Sequence, residues 1–304
     1  CRPYRAAYFS FGFQGINDRP ARADVLSRTL AALGRAPLQQ IYALDVETAP
    51  LIGPPGTIVT RALTVYNFDE VTAHTPLTMT VDSNWPITIT PAHIDLASCA
   101  TQTVVLTVTI PLTASIGTLN PIEIHATPLI VSSAITTTLL VKAPGAVLLV
   151  EDDRWYSVAA AYRAALEANA VPYDVWRVPT NWAGFEPSAP TLERLRWYPA
   201  VIWFTGYDWY QTLTASNEQA LRQFAFEGGR LAVSSQDYLS ERGFNAFGRE
   251  VLGILDFSED LAAAQASGPF SARFAGLKRS MLSWPYRNYS DALAPQPGAS
   301  VELI

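Results

Sequence analysis

Three apolar runs in the second half of the chain each end in a short stretch of carboxylates, amides and aromatic rings. Val147–Val150 leads into Glu151, Asp152, Asp153 and Trp155. Ala200–Phe204 leads into Thr205-Gly206 and then Tyr207, Asp208, Trp209 and Tyr210; Leu231–Ser234 leads into Ser235, Gln236, Asp237 and Tyr238. If the runs are parallel strands, their carboxyl ends share one edge, where open α/β sheets bind ligands. Asp152, Asp153 and Asp208 together could hold a cation through hard oxygen donors. Trp155, Trp209 and Tyr210, beside Gln236 and Asp237, suit a neutral polar ligand such as a carbohydrate. Phosphate is disfavoured, because the carboxylates repel it and no glycine-rich loop or lysine offsets them. The plainer reading carries more weight: the acids cap the helix that follows, and the aromatics pack the rim.

Nucleophilic chemistry finds no machinery here. The stretch from Gly145 to Ile304 contains neither cysteine nor histidine, and a serine would still need a base. All three histidines, His74, His93 and His125, fall in the middle of the chain. Their spacings match no ligand signature, so scattered rim histidines are expected, with no metal site and no cofactor. Trp85, before Pro86, reads as a core or edge tryptophan rather than a sugar platform. Cys1 and Cys99 are the two cysteines. One pair makes no disulfide framework, and two free buried thiols are expected. Asn288-Tyr289-Ser290 is formally a glycosylation sequon and is read as chance.

The elements that must position the carboxylates alternate. Apolar runs Val147–Val150, Ala200–Phe204 and Leu231–Ser234, with Tyr173–Val178, read as strands of a parallel sheet buried on both faces. Helices are expected over Tyr156–Ala170, Leu192–Trp197 and from an N-cap at Thr214 through Phe226, stopped by Gly228-Gly229. Such alternation predicts a doubly wound, flavodoxin-like α/β domain over 145–304. Gly268–Leu303 is expected to be an irregular covering segment, anchored by Trp284, Tyr286 and Tyr289.

Upstream the period changes to two. Ile58–Tyr66, Leu77–Val81, Ile87–Thr90, Thr103–Ile110, Ile122–Ala126 and Ile135–Val141 are short, β-branched and separated by turn residues. That predicts an antiparallel, Ig-like β-sandwich over 37–144. Residues 1–36 read as an aromatic strand, Ala6–Phe13, and a helix with Val25, Leu26, Thr29, Leu30 and Leu33 on one face. They are expected to be the strand–helix end of a preceding α/β unit, able to dock on the last domain, whose own end is missing. The fold class is therefore multidomain, a sandwich plus a parallel-sheet domain, cut from a longer array.

Two resemblances sharpen this. Pro55-Gly56, Val65-Tyr66-Asn67, Asn84-Trp85-Pro86-Ile87 and Thr103–Pro111 resemble the bacterial Ig-like modules that accompany secreted glycosidases and peptidases. Val147–Asp153, Val201–Gly206, Glu227–Leu231 and Ser235-Gln236-Asp237 resemble the class I glutamine-amidotransferase-like fold, in the degenerate form found beside secreted peptidases. Tyr289–Leu293, and Tyr8–Phe13 at the opposite end, resemble the closing phrases of such units. The catalytic versions place a cysteine directly after the third strand; here Thr205-Gly206-Tyr207-Asp208 stands there, so the resemblance implies the fold without the chemistry. Response-regulator receivers also carry paired acids after their first strand, but Thr205 replaces the aspartate they need.

Net charge is −6 with no Lys/Arg cluster, which argues against nucleic acid as a partner. No apolar run approaches the roughly 20 residues of a membrane span. Few lysines and a Thr/Val/Ile/Pro-rich middle suit an extracellular or cell-surface location. The expected function is a non-catalytic accessory, spacer or binding region of a secreted bacterial enzyme, with a peptidase as parent and neighbouring domains as partners. The alternatives are a carbohydrate-binding or adhesion module, and an amidotransferase-like hydrolase whose site is completed from outside.

Overall fold

The computed structural model describes residues 9, 19–33, 42–47, 49–67, 74–129, 135–154, 156–179, 188–261, 263–268, 274–281 and 288–299. The chain divides into two compact units, Cys1–Ala143 and Pro144–Ile304. Near the start, α1 (Arg19–Leu33) forms where a helix was expected. Of its expected inner face, Val25 and Thr29 are half-buried while Leu26, Leu30 and Leu33 are exposed. The strand expected at Ala6–Phe13 lies outside the described residues except for Phe9, and so does the docking expected of it.

Among the described residues nine strands follow: β1 (Tyr42–Asp45), β2 (Leu51–Ile52), β3 (Ile58–Asn67), β4 (His74–Asp82), β5 (Ile87–Thr90), β6 (His93–Ala97), β7 (Thr101–Thr109), β8 (Leu119–Pro128) and β9 (Ile135–Lys142). They form two sheets, ordered β1-β3-β7-β5 and β2-β9-β8-β4-β6. All pairings are antiparallel except that of β2 with β9. Alternation makes the sandwich: along β8, Asn120, Ile122, Ile124 and Ala126 point inward while Glu123 and Thr127 face solvent. One core joins Ile122, Ile124 and Ala126 to Leu63, Leu77, Met79, Leu106 and Trp85. Each buried aliphatic there contributes about 1.5–3 kcal/mol. The buried Asn67 amide at the end of β3 donates to the Leu96 and Ala97 carbonyls on β6, both at 3.1 Å, tying one sheet to the other. Cys99 is disulfide-bonded, which corrects the expectation of a free thiol at that position. Cys1 lies outside the described residues.

The second unit alternates as expected: β10 (Val147–Glu151), α2 (Ala159–Ala168), β11 (Tyr173–Arg177), α3 (Leu192–Leu195), β12 (Ala200–Gly206), α4 (Ala215–Phe226), β13 (Arg230–Ser235), α5 (Tyr238–Arg242) and α6 (Ala246–Glu250). The four strands are parallel in the order β11-β10-β12-β13, that of flavodoxin-like sheets. Every residue of β10 is buried, because both faces are covered. Leu148, Val150, Val201 and Trp203 join Leu221, Phe224 and Leu239 on one side. Val147, Leu149 and Phe204 join Ala159 and Leu166 of α2 on the other. Gly229 ends α4 where no side chain fits, since a Cβ there would stand 2.4 Å from the Phe224 ring.

The last segment differs from the irregular cover expected. Here β14 (Ile254–Ser258) pairs with β17 (Ala292–Pro295), and β15 (Gln265–Ser267) with β16 (Lys278–Ser280), both antiparallel. None of these four strands carries the unbroken β-branched alternation of a strand such as β5.

Candidate functional site

The carboxyl ends of β10 and β12 bring the predicted acids together, and Arg154 stands between them. Asp152 and Asp208 are 1% and 0% exposed. Arg154 Nε donates to Asp208 Oδ2 at 3.0 Å, and its backbone amide donates to the same oxygen at 3.1 Å. Its terminal amino group donates to the Tyr210 and Gln211 carbonyls at 2.7 and 2.8 Å. One guanidinium thus staples the loop after β10 to the loop after β12. Trp203 Nε1 donates to Asp152 Oδ2 at 3.0 Å. Arg154 Nε also lies 3.2 Å from Asp152 Oδ1, but it points at Asp208, leaving that oxygen without a hydrogen bond. Burial pushes the Asp152 carboxyl up to about 7, against the pull of Arg154 and Trp203.

Asp153 does what the plainer reading expected. Its Oδ2 accepts from the amides of Val158 and Ala159, the latter at 3.0 Å, where α2 begins. A carboxylate there satisfies orphan amides and complements the helix dipole. Glu151 is buried and bridges two cations, Arg163 of α2 at 2.5–2.6 Å and Arg177 of β11 at 3.4 Å. These three arginines were not singled out in the sequence. They sit on different elements, so only folding reveals which acid each one meets.

The turn after β12 has its own constraint. Gly206 has φ +59°, and a Cβ there would stand 3.1 Å from that of Asp153. A nucleophile-bearing residue at this point would be strained and crowded. Beside it Thr205, fully buried, donates its hydroxyl to Ser235 Oγ at 2.7 Å.

Four predicted side chains lie apart from the brace. Trp209 and Tyr210 are each 59% exposed. Gln236 accepts the Tyr289 backbone amide through Oε1 at 2.7 Å, which ties the final segment to the loop after β13. Gln236 also lines a cavity of about 440 Å³ with Ser235, Asn288, Ser290, Asp291 and Met281. Asp237 precedes α5; burial and then the charges of Asp260 and Asp291 raise its carboxyl above the usual range. Trp155, Trp284 and Tyr286 lie outside the described residues. In the sandwich, Trp85 is buried in the core, as expected. The histidines are not all scattered, however: His125 converges with Asp82 and Glu123, which the sequence spacing concealed.

No family model and no curated protein matches the chain. Among solved structures, the periplasmic chaperone SfaE is similar over 34% of this chain and 57% of its own, at 18% identity and TM-score 0.25. The E. coli chaperone DraB matches 35% of this chain and 57% of its own, at 13% identity and TM-score 0.27. A FixG-related protein from Vibrio parahaemolyticus matches 34% of this chain and 94% of its own, at 8% identity and TM-score 0.27. The chain thus spans just over half the length of the two chaperones. Similarity this slight carries no argument about function, and the sandwich rests on its own strand pairing.

Proposed function

We propose that this chain is a non-catalytic accessory region, part spacer and part binding surface, of a secreted bacterial enzyme. The observation that carries the reading is the Arg154 staple. The acids that open α/β sheets present to ligands are spent here on Arg154, Arg163, Arg177 and the start of α2. Support for an exported parent comes from the disulfide at Cys99, since such bonds persist in oxidising compartments. A peptidase as parent follows from the resemblance to Ig-like and degenerate amidotransferase-like modules. Assay of the purified chain against fluorogenic amides, esters and peptides is expected to show no turnover. Activity that co-purifies with the chain through two independent columns would overturn the reading in favour of a hydrolase.

A second reading, carbohydrate binding, is favoured by the exposed rings of Trp209 and Tyr210 on the loop that Arg154 holds in place. Aromatic faces of this kind stack on the apolar faces of sugar rings. A glycan array should then give a hit that Trp209→Ala reduces at least tenfold without shifting the unfolding midpoint. An array blank for both proteins rejects it.

A further inference from the structure

We propose that Asp82, Glu123 and His125 form a divalent-cation site of zinc type on the outer face of the five-stranded sheet. Antiparallel pairing places Asp82 of β4 directly opposite Glu123 of β8, and His125 follows two residues later on the same face. His125 Nε2 lies 3.4 Å from Asp82 Oδ2 and 3.9 Å from Glu123 Oε2. One donor atom from each of the three falls within 4.8 Å of the others. Donors held about 2.1 Å from a tetrahedral ion stand about 3.4 Å apart, so the cluster needs little movement to close on one.

The imidazole is also prepared for the task. His125 Nδ1 lies 3.0 Å from Thr136 Oγ1 on β9, the strand next to β8. In the tautomer with Nδ1–H donating to that hydroxyl, Nε2 turns its lone pair toward the carboxylates. Orienting contacts of this kind accompany most metal-bound histidines and fix the ring. Three adjacent strands thus supply two oxygen donors, one nitrogen donor and the orienting group. His125 is the shielded member, with a side chain 24% exposed against 82% for Asp82. Solvent therefore has access to the remaining coordination position. Mixed nitrogen and oxygen donors favour zinc over calcium or magnesium, which prefer oxygen alone. Among the described residues the other two histidines lack this setting: His74 meets Asp95 at 3.4 Å, and His93 faces the Thr78 hydroxyl at 3.3 Å.

The test is calorimetric titration of the chelator-stripped chain with zinc chloride, and with calcium chloride in parallel. One equivalent of zinc should bind, at least tenfold more tightly than calcium. His125→Ala and Asp82→Asn should each weaken zinc binding at least tenfold, and His74→Ala and His93→Ala should leave it unchanged. Thr136→Val should weaken it several-fold while every donor remains. Asp82 is exposed, so its substitution remains decisive should His125→Ala fail to fold. Zinc binding that is absent at millimolar concentration, that survives Asp82→Asn, or that is lost in His74→Ala or His93→Ala instead would overturn the proposal.

Discussion

Asp152 is the residue at which burial and charge oppose each other most directly. Loss of water raises its carboxyl to about 7, while Arg154 and the Trp203 indole pull it back. Below about pH 4 the acid is protonated in both the folded and the unfolded chain. Between there and about pH 7 the folded chain holds a proton that the unfolded chain has released. Asp152 therefore removes stability from the second unit as pH rises through this window, by up to about 4 kcal/mol. Urea unfolding between pH 4 and pH 8 should show that decline. Asp152→Asn, which keeps an acceptor for Trp203, should flatten it; a parallel decline in the variant would contradict the assignment. The acids were legible in the sequence because each follows an apolar run. Their partners were not, because Arg163 on α2 and Arg177 on β11 meet Glu151 only once the sheet has formed.

At the scale of elements, α4 shows how much one cap can say. Thr214 Oγ1 accepts the Asn217 amide at 3.3 Å, and the Asn217 side chain accepts the Thr214 amide at 3.0 Å. This reciprocal pair satisfies two amides that would otherwise lack partners at the helix start. Thr214→Ala should cost about 1 kcal/mol in chemical unfolding, with no change in overall secondary structure by circular dichroism. A variant as stable as the parent would mean that packing of Leu221 and Phe224 alone sets this helix. Thr214 was readable because a hydroxyl stands just ahead of a periodic apolar pattern. Six sandwich strands, β3, β4, β5, β7, β8 and β9, were readable from β-branched alternation. Strands β1, β2 and β6 were missed, as were β14 to β17: each spans five residues or fewer, and none carries the unbroken β-branched alternation that made the four residues of β5 visible. Residues that meet across strands, such as Asp82 and Glu123, need a register that no sequence spacing supplies.

At the scale of the whole molecule, a sandwich and a parallel α/β unit share one chain, and both were visible as a change from period two to alternating strands and helices. Among the described residues no helix is long and apolar enough to cross a membrane. The α/β unit keeps the strand order of a ligand-binding fold, yet turns its carboxylates inward to hold two loops together. Whether those acids serve the fold or a ligand is most directly tested by chemical unfolding of the full chain carrying Asp208→Ala. Removing Asp208 takes away the acceptor of the buried Arg154 Nε and backbone amide, with Asp152 still 3.2 Å from that guanidinium, and the transition of the second unit should lose up to about 3–5 kcal/mol. A curve that superimposes on the parent's would contradict the account, because Asp208 would then be spare for a ligand.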